Sequence, residues 1–404
     1  MSINFQNTNR LNVLANLFSG NVLPITSDGS ELSLLSELYA ISTWIIVLIY
    51  TSGCIIGIFR VPKEYALRES TVNLIIIVEI FFNLFHMYRQ RNLLKRLIGN
   101  YNFLFSIDND LLKTIVVTYV GPVEKMLKFY TITEVSTVVL WVSTAFITFF
   151  QKEEFVHEDY VLPISFSEES ISRNVYIINV IIEIFGSFYV ILKKVSTDIY
   201  TLHLILLLTS QYKYMRIKFG MVFRRKENSL KSKYLSDRVI EKELDSLFHH
   251  HSVVVRATIM LKEILSFNVC IIHLDSVFRF CFLSFMLATN MRMNIEGFII
   301  ISYSIAAVLQ LYMICFYVQE LFEGTKLTDD AFNEEWYSCE LSVKKNFQIM
   351  IHANKLKCQL TPCQSVDLSL PSFMQVKENP KLMQLSSLIM NQAYSVCLLF
   401  LKMK

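Results

Sequence analysis

The chain has 404 residues, 53% of them hydrophobic and only 18% charged, with a formal net charge of +3. Its mean hydropathy is +0.41; a soluble domain carries roughly 25% charged residues, so an ordinary soluble domain is excluded and an integral membrane protein is indicated. The small positive charge and the lack of a basic motif give no footing to nucleic-acid binding.

A helix needs about 20 mostly apolar residues to cross about 30 Å of hydrocarbon. Residues 1–37 read as a polar leader without the basic start of a signal peptide. Seven segments then qualify as spans: 38–59, 71–88, 130–150, 175–192, 265–288, 297–317 and 382–401. Ser, Asn and Gln interrupt the last. The expected fold is an all-α membrane protein with seven transmembrane helices. The eight cysteines avoid the short loops placed outside below, which argues against disulfide stapling.

Lys and Arg set the orientation, because cytoplasmic loops are enriched in them. The loop after span two carries Arg89, Arg91, Lys95, Arg96, Lys113, Lys125 and Lys128. The loop after span four carries ten more between Lys213 and Lys242, and Lys326, Lys344 and Lys345 follow span six. The odd loops hold only Arg60, Lys63, Arg68, Lys152, Arg173 and Arg292. The even loops are therefore cytoplasmic, with the N-terminus inside and the C-terminus outside. A G-protein-coupled receptor has the opposite orientation. The "DRV" at 237–239 is placed in a polar loop, and "NPKLM" at 379–383 lacks the tyrosine of a seventh-helix NPxxY.

Span four does not stop at the membrane boundary. Apolar helical character runs on to Tyr212, roughly 55 Å from its start at 1.5 Å per residue. Lys193 and Lys194 fall about one membrane thickness in, where they are expected to snorkel to headgroups. Lys194 and Asp198 are spaced to pair on one helix face. The segment 241–267 reads as an amphipathic helix running into span five without a breaker. Long helices four to six thus extend into a cytoplasmic helical body, with the basic stretch 224–233 at its tip.

Two motifs suggest metals and are better explained otherwise. "HHH" at His249–His251 lacks the further ligands of a zinc site and reads as interface histidines. "DDAFNEE" at 329–335 lacks the D-x-D-x-D-G of a calcium loop; Thr328 as N-cap, with Asp329 and Asp330 in the first turn, explains the acids. No cofactor and no metal is expected. No nucleophile–base pair or phosphate loop appears, so an enzyme is not expected.

Glu79, Glu134, Glu183, Asp275 and Arg279 interrupt apolar spans. Such groups face protein or water at bilayer depth, and Asp275 and Arg279 are placed to satisfy each other. Either helix–helix adhesion or a functional cavity accounts for them. Toward the outer ends lie Trp141, Phe146, Phe149, Tyr176 and Tyr303. If they converge they make a dry pocket for a small volatile or lipophilic ligand; ordinary packing or an interfacial aromatic belt explains each one singly.

The last third carries a denser pattern. Cys315 is followed by Gln319, Glu320 and Leu321, then by "LTDDAF" at 327–332, Trp336 and Tyr337. A basic–apolar helix follows, then "LSLPSF" at 368–373. This resembles the C-terminal signature of insect odorant receptors, with weaker colinear similarity upstream at Asp198 and His251.

The resemblance implies a subunit of an odorant-gated, nonselective cation channel. It would assemble as a heterotetramer with an odorant co-receptor subunit, as a multi-pass protein in the plasma membrane of olfactory sensory neurons, surrounded by membrane lipid. It implies a volatile ligand in the outer half of helices two, three, four and six. A cytoplasmic anchor segment with the first half of helix seven, at 321–366, would include Phe332, Trp336 and Tyr337. A pore-lining second half, at 367–404, would carry Ser395, Leu399 and Lys402. Residues 377–390 depart from the family pattern, and Pro380 there breaks a helix. They either distort the pore helix or represent extra coding sequence. The competing readings are a gustatory receptor, whose T-Y-x5-Q-F ending is missing here, and a small-molecule transporter, whose internal repeats are not visible.

Overall fold

The computed structural model describes residues 4–27, 34–60, 71–107, 110–152, 155, 172–228, 233–289, 295–326, 336 and 341–355. The elements among them are all helices: α1 (Phe5–Thr8), α2 (Arg10–Ser19), α3 (Leu34–Ile58), α4 (Thr71–Arg89), α5 (Arg91–Ser106), α6 (Asp110–Gln151), α7 (Arg173–Asn228), α8 (Lys233–Thr289), α9 (Ile295–Thr325) and α10 (Leu341–Lys355). Six of these, α3, α4, α6, α7, α8 and α9, are long and apolar enough to cross a membrane. They coincide with the first six spans read from the sequence. The seventh, at 382–401, lies outside the described residues, as do Ser395, Leu399, Lys402 and the 377–390 stretch.

Helix α7 is the axis of the molecule. It is 56 residues long, about 84 Å at 1.5 Å per residue, and passes well beyond Tyr212. Residues 193–212 are all buried, twenty in a row. A helix buried on every side, with polar as well as apolar side chains covered, needs neighbours all round it, and α2, α3, α6, α8 and α9 all pack on it. This resolves why an apolar helix can leave the bilayer: it becomes the core of a cytoplasmic helical body. Helix α8, 57 residues long, runs from that body into span five without interruption, as the sequence indicates. The "DRV" at 237–239 is therefore helical, not in a polar loop.

Helix α6 is also longer than its apolar run. It begins at Asp110, twenty residues before span three, and continues through Pro122. Proline lacks the amide that would bond the carbonyl four residues back, so neighbouring packing must hold this turn. Helix α5 follows α4 after a break at Gln90 and is amphipathic. It buries Leu94, Leu97, Ile98, Tyr101, Leu104 and Phe105, the three- and four-residue spacing of one helix face. The Tyr101 hydroxyl donates to the Leu204 carbonyl on α7 at 2.9 Å, and burial holds this phenol well above its ordinary pKa.

The leader is not a solvated tail. The Phe5 ring lies 4.7 Å from His203 and 6.4 Å from Tyr101, and its amide donates to Asn102 Oδ1 at 2.9 Å. Helix α2 then runs along α7 to Ser19, whose carbonyl accepts from Lys193 Nζ at 2.9 Å. The chain turns back at Gly20, where φ is +65°, and by Pro24 its carbonyl accepts from Tyr200 at 2.8 Å. The segment is a hairpin that climbs α7 and descends it. The Asn16 amide clamps the turn, donating to the Leu23 carbonyl at 2.9 Å and accepting from the Leu23 amide at 3.0 Å. The buried face of α2 carries Asn12, Asn16 and Ser19, while Leu14, Leu17 and Phe18 are exposed. Inward-facing asparagines account for the polar composition of the leader, and Asn16 spends both ends of its amide on the Leu23 backbone.

Helices α3 and α7 touch backbone to ring at Gly186. A Cβ placed there would sit 2.2 Å from Tyr50 Cγ, so only glycine allows this approach.

Candidate functional site

The ionisable residues in the spans come together. Lys194 on α7 is 1% exposed and does not snorkel. Its ammonium bonds Tyr130 OH at 2.6 Å and Glu134 Oε1 at 2.9 Å on α6, and Asp198 Oδ2 at 3.4 Å one turn on. Lys193, also fully buried, points to the other side of α7. There it donates to Ser19 O and Thr43 Oγ1 and lies 4.4 Å from the centre of the Trp44 ring. The headgroup reading of the two lysines is corrected for both. The leader and α6 reach them first, and each ammonium finds its hydrogen bonds inside the protein, which avoids the cost of an unpaired buried charge.

A second centre lies on α8. Arg279 Nη2 pairs with Glu79 on α4 at 2.6 Å and with Asp275, the i,i+4 partner read from the sequence. Its Nη1 donates to Gln310 Oε1 on α9 at 2.8 Å. Gln310 joins the two centres: its amide nitrogen donates to Glu79 Oε1 at 3.0 Å and to Asp198 Oδ1 at 3.1 Å. One continuous polar chain thus runs through α4, α6, α7, α8 and α9. Nothing local in the sequence brings Tyr130, Lys194, Asp198 and Gln310 together. The Lys194–Asp198 spacing is the one local signal; Gln310, within an apolar run, gives none.

The expected ligand residues divide. Tyr176 and Phe149 stack at 6.3 Å, each beside Phe155, and the Tyr176 hydroxyl donates to Ala145 O at 3.2 Å. Arg173 lies over the Phe149 ring at 4.7 Å. This outer cluster is separate from the main core. Trp141 and Tyr303 pack in or against the main core instead. Phe146 is half exposed and joins neither group. Next to Tyr303, Ser302 Oγ lies 2.7 Å from Thr137 Oγ1, tying α9 to α6. A cavity of about 240 Å³ lies between α3, α4 and α7, lined by Trp44, Val47, Ile77, Phe81, Val190 and Lys193 among others. None of the expected ligand residues lines it.

Of the anchor residues, Trp336 is described. It stacks on Phe347 of α10 at 5.2 Å and 11°, and Phe347 in turn meets Phe223 of α7 and Phe248 of α8. Phe332 and Tyr337 lie outside the described residues, as do Thr328, Asp329 and Asp330. In the histidine run, His250 and His251 are buried and His250 Nε2 lies 3.1 Å from Gln211 Oε1, the interface role expected for them. No group of three or more His, Cys, Asp or Glu among the described residues is arranged to hold a metal.

The profile of the 7tm odorant receptor family matches residues 66–379. The chain belongs to that family. The fold agrees over the full length. The insect olfactory receptor OR5 of Machilis hrabei superposes with a TM-score of 0.76 at 12% identity, covering 98% of this chain and 97% of that one. The structure of the same receptor in complex with eugenol gives 0.77 at 13% identity, covering 97% of each chain. No curated protein matches this odorant receptor. The match is one of architecture: six described spanning helices, long cytoplasmic extensions and a multi-pass membrane topology. The family profile ends at residue 379, inside the stretch that departs from the expected pattern.

Proposed function

We propose that this odorant receptor is the ligand-tuned subunit of an odorant-gated, nonselective cation channel that works with a co-receptor in the plasma membrane of olfactory sensory neurons. The observation that carries the reading is the full-length likeness to a receptor solved with eugenol, a small aromatic volatile. Here a comparable ligand would lie in the outer half of the bundle, where Trp141, Phe149, Tyr176 and Tyr303 supply aromatic surface; Phe146, half exposed, would contribute from the edge. The Trp336–Phe347 stack, meeting both long cytoplasmic helices, supports a role for this region as the anchor between subunits, with Phe332 and Tyr337 beside it in sequence. Ser395, Leu399 and Lys402 are the proposed pore positions. The chemistry is binding and gating, without a cofactor.

Co-expression with an odorant co-receptor in a heterologous cell, scored by odorant-evoked calcium entry, tests the reading. Responses to some members of a broad volatile panel from the pair, and none from either subunit's partner-free control, are expected for a tuning subunit. Equal responses from this chain alone would refute that role.

A further inference from the structure

The cavity of about 240 Å³ between α3, α4 and α7 has no part in the odorant reading. Its shape follows the helices. On α3 it is lined by Trp44, Val47, Leu48 and Thr51, the stripe of one helix face, which runs about 10 Å along the axis. Its floor is closed: Val47, Ile80, Val190 and Lys193 are each no more than 4% exposed. Its rim is open: Leu48, Val78, Phe81 and Phe82 are between 44% and 56% exposed. With the N-terminus inside, the lining runs from about the middle of spans one and two to Lys193, at the cytoplasmic end of span four. No polar atom reaches the wall. The two hydrophilic side chains in it are spent elsewhere. Thr51 donates to the Val47 carbonyl at 2.7 Å, and the Lys193 ammonium donates to Ser19 O at 2.9 Å and to Thr43 Oγ1 at 3.1 Å.

We infer that this cavity is a resident site for one acyl chain of a cytoplasmic-leaflet phospholipid, seated lengthwise between α3, α4 and α7. A purely apolar space of this size excludes water, and left empty it would cost its lining atoms their dispersion contacts. The material at this depth is hydrocarbon, and the half-exposed rim lets a chain enter sideways from the bilayer. The slot runs along the helices, the direction in which an acyl chain lies. A polar or charged ligand finds no partner here, since every hydrophilic group of the wall is already bonded or turned away. A compact volatile would leave part of the slot empty and meet no polar group to orient it. The inference depends on the membrane fold and not on the channel reading.

The test uses the full-length receptor in phosphatidylcholine nanodiscs, with plain or brominated acyl chains, read by tryptophan fluorescence. The chain has three tryptophans, and the component missing from Trp44→Phe reports on the cavity. Brominated chains are expected to quench that component. Val47→Phe, which fills the closed floor, should remove most of this quenching without lowering the unfolding temperature. Ile45→Phe, on a side chain of α3 that is 51% exposed and outside the lining, should leave it unchanged. If Val47→Phe does not fold, Val78→Phe at the rim takes its place. Absence of bromine quenching from the Trp44 component would overturn the inference, because protein would then cover the cavity. Equal quenching in the parent and the filled variant, or the same loss from Ile45→Phe, would also overturn it, because ordinary boundary lipid would then account for the signal.

Discussion

Replacing Arg279 with methionine probes the centre of the fold. The side chain keeps most of its apolar stem and loses the guanidinium, which is 1% exposed and holds Glu79, Asp275 and Gln310 at once. Removing one partner of a buried ion pair costs about 3–5 kcal/mol, because the other charge stays buried and uncompensated. Two carboxylates are stranded here, in a buried network that has more acidic than basic side chains, so the loss should lie near 5 kcal/mol or the receptor should fail to accumulate. Adding Glu79→Gln to Arg279→Met removes one stranded charge and should recover a measurable part of the loss. Equilibrium unfolding by SDS titration in mixed micelles reads both. The exposed pair Lys128–Glu124, at 2.8 Å with the lysine 57% exposed, is the control: Lys128→Ala should change stability by less than about 0.5 kcal/mol. An Arg279→Met receptor within about 1 kcal/mol of the parent would show that the charges are not buried as described.

Gly186→Ala puts a methyl 2.2 Å from the Tyr50 ring; it should destabilise by about 1–3 kcal/mol through overpacking, and Tyr50→Ala in the same chain should relieve part of that. A Gly186→Ala receptor with unchanged thermal stability would contradict the close approach of α3 and α7. Phe5→Ala empties a site between Tyr101, Tyr200 and His203; a fully buried Phe lost to Ala costs about 3 kcal/mol or more. Limited proteolysis should then cleave within the first 25 residues while α7 stays protected, and unchanged protease resistance would show that the leader is held by other contacts.

The spans and the long helices were legible because their signal is local. An apolar run of about 20 residues must be helical in lipid, and a run that continues past Lys194 must find cover. What was not legible depends on partners distant in sequence. Lys193 and Lys194 occupy the boundary position where lysines commonly snorkel. Nothing local tells that Ser19 and Thr43 meet one ammonium, and Tyr130 and Glu134 the other. Asn12 and Asn16 look like loop residues until the hairpin closes on α7. Asp275 and Arg279 were paired from their spacing, yet Glu79, 200 positions from Arg279, could join them only in the fold. The outer aromatics illustrate the same limit. Phe149 and Tyr176 meet, Trp141 and Tyr303 belong to the main core, and Phe146 turns outward, a division set by helix rotation rather than composition.

The proposed function has the odorant opening an ion path in the receptor complex itself. It is tested most directly by current recorded from outside-out patches pulled from cells co-expressing this chain and a co-receptor, with no nucleotide in the pipette. An odorant-evoked cation current that persists in the isolated patch, reverses near 0 mV and vanishes when this chain is omitted is the predicted result. A response that survives only in intact cells, or that needs guanine nucleotide, would contradict it.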